Sequence, residues 1–133
     1  MRSNLSKKLD LSFNEMMEKT VISLNDEGFI ILSEIDLKKP NNTENTKNYR
    51  ILNIYNNEIA SKSQYHEEEI SMIMPFNIVV QELSKSSAEV SALDPLHSLA
   101  EVDNIKLRVL AWELGQKLKK VINNIELNKG ELI

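Results

Sequence analysis

The segment of about residues 104–126 constrains the fold most, because its apolar side chains recur at helical spacing along its whole length. Apolar residues three and four positions apart form one continuous stripe on a helix. The stripe consists of Leu107, Leu110, Ala111, Leu114, Leu118, Val121, Ile122 and Ile125. Such a helix is stabilised mainly by burying its stripe against another layer of structure. The segment therefore predicts a long helix that covers one side of a partner layer.

Short apolar runs predict strands, which supply that layer. The predicted strands are 7–11, 29–37, 49–55, 70–83 and 87–93. Pro75 interrupts the fourth strand, since proline has no N–H to donate to a neighbouring strand. Residues 57–69, between the third and fourth strands, are expected to form a short helix or a helical turn and loop.

A second long helix is expected to begin after Ser12. Ser12 and Glu15 have the spacing of a capping box, in which each side chain binds a free backbone N–H of the first turn. Gly28 suits the left-handed position just beyond the helix end. Asp94-Pro95 predicts a further turn of helix after the last strand, because aspartate caps helices and proline is favoured at their first position.

The predicted order is therefore strand, helix, four strands, helix. Consecutive strands with short links form antiparallel sheets. We expect the α+β class, with a single antiparallel sheet of about five strands and two main helices on one face. The 133 residues fit a single domain, 1–133. Its core would span about 7–126, with a polar loop at 38–48 and a C-terminal tail at 127–133.

Two helices on one face would leave the other face of the sheet uncovered. Alternation along the strands predicts a mixed surface there. Its expected residues are Ile30, Leu32, Leu52, Ile54 and Val79, beside Glu34, Asp36, Arg50, Asn77 and Gln81. An open face with this much apolar area is typical of a surface that binds a partner or a ligand.

Composition excludes several classes of function. The 16 Lys+Arg against 20 Asp+Glu give a net charge of -4, which argues against nucleic acid because phosphate binding needs a basic face. Cysteine is absent, so this chain forms no disulfide and has no thiolate nucleophile or metal ligand. With two histidines, we expect no metal site and no cofactor. No signal peptide or apolar run of roughly 20 residues is present, so we expect a cytoplasmic protein without a membrane partner.

Five short motifs, in order and with similar spacing, resemble the domain of unknown function 302 family over about residues 10–126. They are Gly28-Phe29, Glu34-Ile35-Asp36, Tyr49-Arg50-Ile51-Leu52, Pro75-Phe76-Asn77-Ile78-Val79-Val80 and Ser91-Ala92-Leu93-Asp94-Pro95. The resemblance implies a TATA-binding-protein-like fold and a homodimer. It supplies no established activity, because the family is named for lacking one.

The chain departs from that family at three positions. Many relatives carry cysteines at places that fall here near Tyr55 and at Phe76. Members with both cysteines could carry out redox, persulfide or soft-metal chemistry. This chain cannot do so by that route, because the thiolate is the nucleophile and the ligand. The glycine usual before the proline strand is here about Ser71.

Tyr55, Asn56, Phe76 and Asn77 align with the best-marked segments of the family and are candidate ligand-binding residues. In the functional interpretation they form a shared pocket with aromatic walls and amide hydrogen bonds. In the structural interpretation the rings fill the core and the amides hold turns. We favour the structural interpretation, because ligand pockets are few per protein.

Arg50 and Asp94 are the remaining candidates for ligand binding. The Arg50 guanidinium could bind an anion, but we favour an ion pair with Glu34 or Asp36 on the neighbouring strand. Asp94 could line a pocket or pair with His97, or cap the helical turn that follows it. We expect the run 66–69, one histidine and three glutamates, to be a solvated acidic segment. Trp112 is expected to serve packing or a dimer contact.

Two functions fit this pattern. The first is a non-catalytic, homodimeric module that binds a small ligand or a protein through the uncovered sheet face or the region of Tyr55 and Phe76. The second, by family analogy, is a small enzyme linked to redox or sulfur metabolism. The absence of catalytic motifs and of cysteine favours the first.

Overall fold

The computed structural model describes residues 4–39, 47–99 and 102–126. These residues form five strands and five helices. In chain order they are β1 (Asn4–Leu9), α1 (Phe13–Asp26), β2 (Phe29–Lys39), β3 (Lys47–Asn56), α2 (Asn57–Ala60), α3 (Glu67–Ile73), β4 (Phe76–Ser84), β5 (Ser87–Leu93), α4 (Pro95–Ser98) and α5 (Ile105–Asn124).

The strands form one open sheet in the order β1-β5-β4-β3-β2, and every neighbouring pair is antiparallel. The expected α+β class with a single antiparallel sheet is confirmed, and β1 and β2 are its edges. Residues 38–39 and 47–48, the ends of the expected polar loop, belong to β2 and β3. Residues 40–46 of that loop and the predicted tail 127–133 lie outside the described residues.

The helices α1 and α5 pack against each other and on one face of the sheet, which we call the covered face. Their stripes include Met16 and Leu24 of α1 and Leu110 of α5, all without solvent exposure. The buried sheet residues beneath them are Leu52, Ile54, Ile78, Val80, Ala88, Val90 and Ala92. Burying one aliphatic side chain of this size stabilises the fold by about 1.5–3 kcal/mol. No helix in the described ranges is both long and apolar enough to cross a membrane.

Both ends of α1 follow the local signals in the sequence. Ser12 Oγ accepts the N–H of Glu15 at 3.2 Å, and the Glu15 carboxylate accepts the N–H of Ser12 at 3.1 Å. The expected capping box is therefore confirmed, and these hydrogen bonds lower the pKa of Glu15. Gly28 has φ +83, which favours glycine, and a Cβ there would overlap the Glu58 side chain.

The prediction of a strand over 70–83 is wrong in its first part. Residues 67–73 form α3, and β4 begins only at Phe76, after a cis peptide bond between Met74 and Pro75. Ile70, Ile73 and Met74 are buried at the spacing of a helical turn. So short an apolar run does not distinguish a helix from a strand. The first strand also lies earlier than expected, at Asn4–Leu9 rather than 7–11.

The prediction of which β2 side chains share a face is wrong beyond Ile31. The pairing of β2 with β3 shifts between Ile31 and Ser33, which is a β-bulge that reverses the alternation. Beyond the bulge, Ile35 lies opposite Ile51 and Leu37 lies opposite Tyr49. Glu34 and Asp36 therefore lie on the opposite face from Ile30, although the predicted uncovered face includes all three.

Part of the predicted uncovered face belongs to the covered face. Leu52 and Ile54 are fully buried there. Glu34 lies opposite Leu52, and Asp36 lies opposite Arg50, so these three charged residues are also on the covered side of the sheet. Alternation predicts which residues of a strand share a face, but it does not say which face the helices cover.

Candidate functional site

The sheet face opposite α1 and α5, which we call the uncovered face, carries an apolar patch. The patch consists of Ile30, Ile35, Leu37, Tyr49, Ile51, Tyr55 and Val79. Ile51 lies opposite both Ile35 and Val79, so the patch spans three strands at this row. A polar row of Ser33, Asn53 and Asn77 separates this part of the patch from Ile30 and Tyr55. The three β2 residues of the patch are 41–50% exposed. An apolar patch that spans three strands is a feature of interaction surfaces, whereas scattered single residues are not.

The charged side chains of the uncovered face lie toward its margins. Lys8 of β1 lies directly opposite Glu89 of β5, so these two opposite charges face each other. Lys47, at the start of β3, donates a hydrogen bond to the carbonyl of Leu83 at 2.8 Å. The central row, which runs from Ile35 across the sheet to β1, contains no charged residue. The middle of this face therefore has no charge that would repel a second copy of itself.

A groove of about 310 Å³ adjoins the apolar patch on the uncovered face. Its lining residues are Pro75, Phe76, Asn77, Val79, Ser91, Ala92 and Leu93. Val79 lies opposite Ser91, and Asn77 lies opposite Asn53, so the groove runs over β4 and β5 beside the patch. The Asn53 side chain donates from Nδ2 to Asn77 Oδ1 at 3.0 Å. This bond orients the Asn77 amide.

The structure places three of the six candidates at or beside this groove. Phe76 and Asn77 line it, and Phe76 also packs against the core from its position opposite Ile54. Tyr55 is half-buried on the uncovered face, opposite Ile30, and belongs to the apolar patch. The other three candidates, Asn56, Arg50 and Asp94, make contacts elsewhere.

Asn56 is fully buried and holds together three parts of the chain. Its Oδ1 accepts the N–H of Ile59 at 2.9 Å, which caps α2. Its Nδ2 donates to the carbonyl of Glu27 at 2.9 Å, and its backbone N–H donates to the sulfur of Met74 at 3.3 Å. These contacts are those of a structural amide, because its side-chain oxygen and its nitrogen both have partners within the protein.

Arg50 makes the ion pairs that cross-strand position predicts. Its guanidinium lies 3.7 Å from Glu34 Oε1 and 3.4 Å from Asp36 Oδ2. Its Cζ lies 5.3 Å from the centre of the Phe13 ring, in cation–π range. The buried Nε has no hydrogen-bond partner among the described groups. Two carboxylates beside the guanidinium make this place unfavourable for an anionic ligand.

Asp94 caps a helix. Its Oδ1 accepts the N–H of Leu96 at 3.0 Å at the start of α4. A Cβ placed on Gly115 of α5 would lie 3.4 Å from the same oxygen, so Asp94 faces α5 at close range. The contacts of Asp94 are therefore those of a residue that caps a helix, rather than those of a ligand-binding group.

A half-buried polar cluster that sequence reasoning missed joins the α2–α3 segment to α5. Lys62 Nζ and the Tyr65 hydroxyl both donate to the carboxylate of Glu113. Burial, followed by the bond to Glu113, raises the pKa of Tyr65 to about 12. Burial alone would raise the pKa of Glu113, but the two hydrogen bonds and the positive charges of Lys62 and Lys117 together lower that pKa. No sequence motif indicates this cluster, because Glu113 lies about fifty residues after Lys62 and Tyr65 in the chain.

The acidic run 66–69 begins α3. The Glu69 carboxylate accepts the N–H of His66 at 2.9 Å, as helix-capping side chains do. Across the described parts of the chain, no group of three or more histidine, aspartate and glutamate side chains could hold a metal ion.

Comparisons with known proteins agree with the architecture. The model of the family described as "Domain of unknown function DUF302" matches residues 5–125. The crystal structure of an uncharacterized conserved DUF302 protein from Bacillus stearothermophilus is similar, with a TM-score of 0.78 and 16% sequence identity. The match covers 95% of this chain and 100% of that one. No curated protein matches this chain. At this identity the structural likeness shows the fold alone.

The structural role of Asn56 predicts a stability loss. Asn56→Ala leaves the Ile59 N–H and the Glu27 carbonyl without partners, so we expect the free energy of unfolding to fall by about 2–4 kcal/mol in urea denaturation. The control is Asn53→Ala, which removes an exposed hydrogen bond and should cost less than about 1 kcal/mol. Equal losses for the two variants would contradict a structural role specific to Asn56.

The Glu113 cluster predicts a pH-dependent stability. A carboxyl whose pKa is lowered by folding stabilises the protein above its unfolded pKa, and that contribution disappears as the pH falls. Glu113→Gln should therefore lower the free energy of unfolding by about 1–2 kcal/mol at neutral pH. The difference in the free energy of unfolding between this variant and the unmodified protein should shrink as the pH falls below about 5. Glu18→Gln, which removes an exposed carboxylate of α1, is the charge-matched control. A constant difference across the pH range would contradict the assignment.

Proposed function

Because the chain belongs to the DUF302 family, whose description assigns no activity, we propose its function from geometry: it is a non-catalytic binding module that forms a homodimer through its uncovered sheet face. The observation that carries this proposal is the apolar patch on that face. The patch spans β2, β3 and β4, and the described long helices α1 and α5 pack on the opposite side. Covering this patch would remove apolar area from water, which is the main favourable term in protein association.

The charge distribution supports a second copy of the same chain as the partner. The protein carries a net charge of -4, so an uncharged region is where two copies repel each other least. The middle of the uncovered face carries no charge, and Lys8 and Glu89 at its margin oppose each other. This face is therefore suited to meeting its own copy. Nucleic acid would require a basic face instead.

The size of the face also fits a dimer. Five strands about 4.8 Å apart, each contributing about seven residues at ~3.3 Å, give a flat area on the order of 500–600 Å². Side chains raise the accessible area towards the roughly 800 Å² per partner of a standard interface. The apolar patch alone is smaller than this. A stable dimer would therefore need the whole uncovered face, with two sheets stacked about 10 Å apart.

No specific observation favours the second function, an enzyme of redox or sulfur metabolism. The positions at which the family resemblance implies cysteines fall near Tyr55, which belongs to the apolar patch, and at Phe76, which packs against the core. Neither side chain can form the thiolate on which that chemistry depends.

The proposal predicts that one charge on the patch dissociates the dimer. Ile35→Lys places an ammonium in the centre of the face in both copies. We expect the dimer dissociation constant to rise at least about tenfold, because each buried, unpaired charge is costly. Sedimentation velocity at several protein concentrations measures the change.

Ile22→Lys is the matched control. Ile22 is 60% exposed on α1, on the helical side of the molecule, and Ile35 is 50% exposed. Circular dichroism would verify that both variants fold. The proposal requires that Ile22→Lys leave the dimer intact. A monomeric unmodified protein, or equal effects of the two substitutions, would refute it.

A further inference from the structure

We infer that the groove over β4 and β5 is a binding site for a small uncharged ligand with an apolar body and one hydrogen-bond acceptor, and that the second copy of the chain closes it. This inference rests on the proposed function, because the closing copy is the partner in the proposed homodimer. It adds the chemical class of the ligand and a link between ligand binding and dimerisation.

The lining of the groove selects an apolar body. Val79 and Leu93 present aliphatic side chains on the uncovered face, and Pro75 adds further apolar surface. Ligand sites are usually apolar clefts with a few placed polar groups, and their volumes start at roughly 300 Å³. The groove has about 310 Å³, at the small end of that range.

The polar groups of the groove select a hydrogen-bond acceptor. Asn77 Oδ1 accepts the hydrogen bond from Asn53. The Nδ2 of Asn77 is therefore the atom of this amide that can donate to a ligand. The Ser91 hydroxyl lies in the same groove and can also donate. A ligand carbonyl or ether oxygen would satisfy these donors.

The absence of charge in the lining selects an uncharged ligand. None of the seven lining residues is charged. Moving a carboxylate or an ammonium from water to such a place without an opposite charge is strongly unfavourable. An acceptor on a neutral ligand avoids that cost.

Within the described ranges, one copy forms only the floor of the groove. All its lining residues come from β4, β5 and Pro75, and it opens on the uncovered face. The dimer needs nearly the whole face to reach a standard interface area, and the groove is part of that face. A second sheet stacked at about 10 Å would cover it and remove the bound ligand from water.

The test uses two fluorescent probes of similar size with the full chain. Prodan is neutral and carries a ketone on an apolar naphthalene, whereas 8-anilinonaphthalene-1-sulfonate is an anion. We expect Prodan to bind saturably with a blue-shifted emission, and at least about tenfold more tightly than the anion. Equal binding of the two probes, or no saturable binding of Prodan, would overturn the inference.

Variants then locate the site. Asn77→Leu removes the donor and keeps the side chain's size, so it should weaken Prodan binding about five- to tenfold. Ser91→Phe fills the groove and should abolish binding. The control is Gln81→Leu, which changes an amide on the same strand and face but outside the groove. If Gln81→Leu and Asn77→Leu weaken binding equally, the groove is not the site.

The dimer-disrupting variant separates this inference from the proposed function. Ile35 does not line the groove, yet Ile35→Lys should weaken Prodan binding about tenfold, because it removes the closing copy. If the unmodified protein is a dimer and Ile35→Lys binds Prodan with unchanged affinity, closure by the partner is wrong while the proposed function stands. If the unmodified protein is a monomer, the proposed homodimer is refuted, and closing of the groove by a second copy is refuted with it.

Discussion

The packing of α1 and α5 on one face of the sheet is the contact on which the other features depend. Those two helices bring apolar stripes to one side only. Because side chains alternate along a strand, burying Leu52 and Val80 beneath the helices places Ile51 and Val79 on the opposite face. The apolar patch therefore arises from the same alternation that builds the core. Exposing the apolar side chains of this face to water is unfavourable, and a partner that covered them would remove that unfavourable free energy.

The bulge in β2 decides how apolar that face becomes. Without the extra residue between Ile31 and Ser33, Glu34 and Asp36 would lie on the uncovered face in the positions that Ile35 and Leu37 now occupy. With it, both carboxylates lie near Arg50, which pairs with them. One inserted residue thus removes two negative charges from the face and adds two aliphatic side chains.

Elements with strong local signals could be predicted from the sequence, and features set by distant pairing could not. The long apolar stripe predicted α5, and the box formed by Ser12 and Glu15 predicted the start of α1. The bulge could not be predicted, because it is defined by cross-strand partners. Only the last part of the short helix α3, residues 70–73, was predicted as strand, because so short an apolar run does not distinguish a helix from a strand. At the candidate site, cross-strand position predicted the ion pairs of Arg50, but nothing local pointed to the bond between Tyr65 and Glu113.

The central claim is that copies of this chain meet through the uncovered face. The most direct test is methyl NMR of the unmodified protein over a wide range of protein concentration. The account predicts concentration-dependent shifts in the methyl groups of Ile30, Ile35, Ile51 and Val79, with those of Ile22 on α1 unchanged. Shifts confined to the helical side, or no shift on the uncovered face at any concentration, would contradict it.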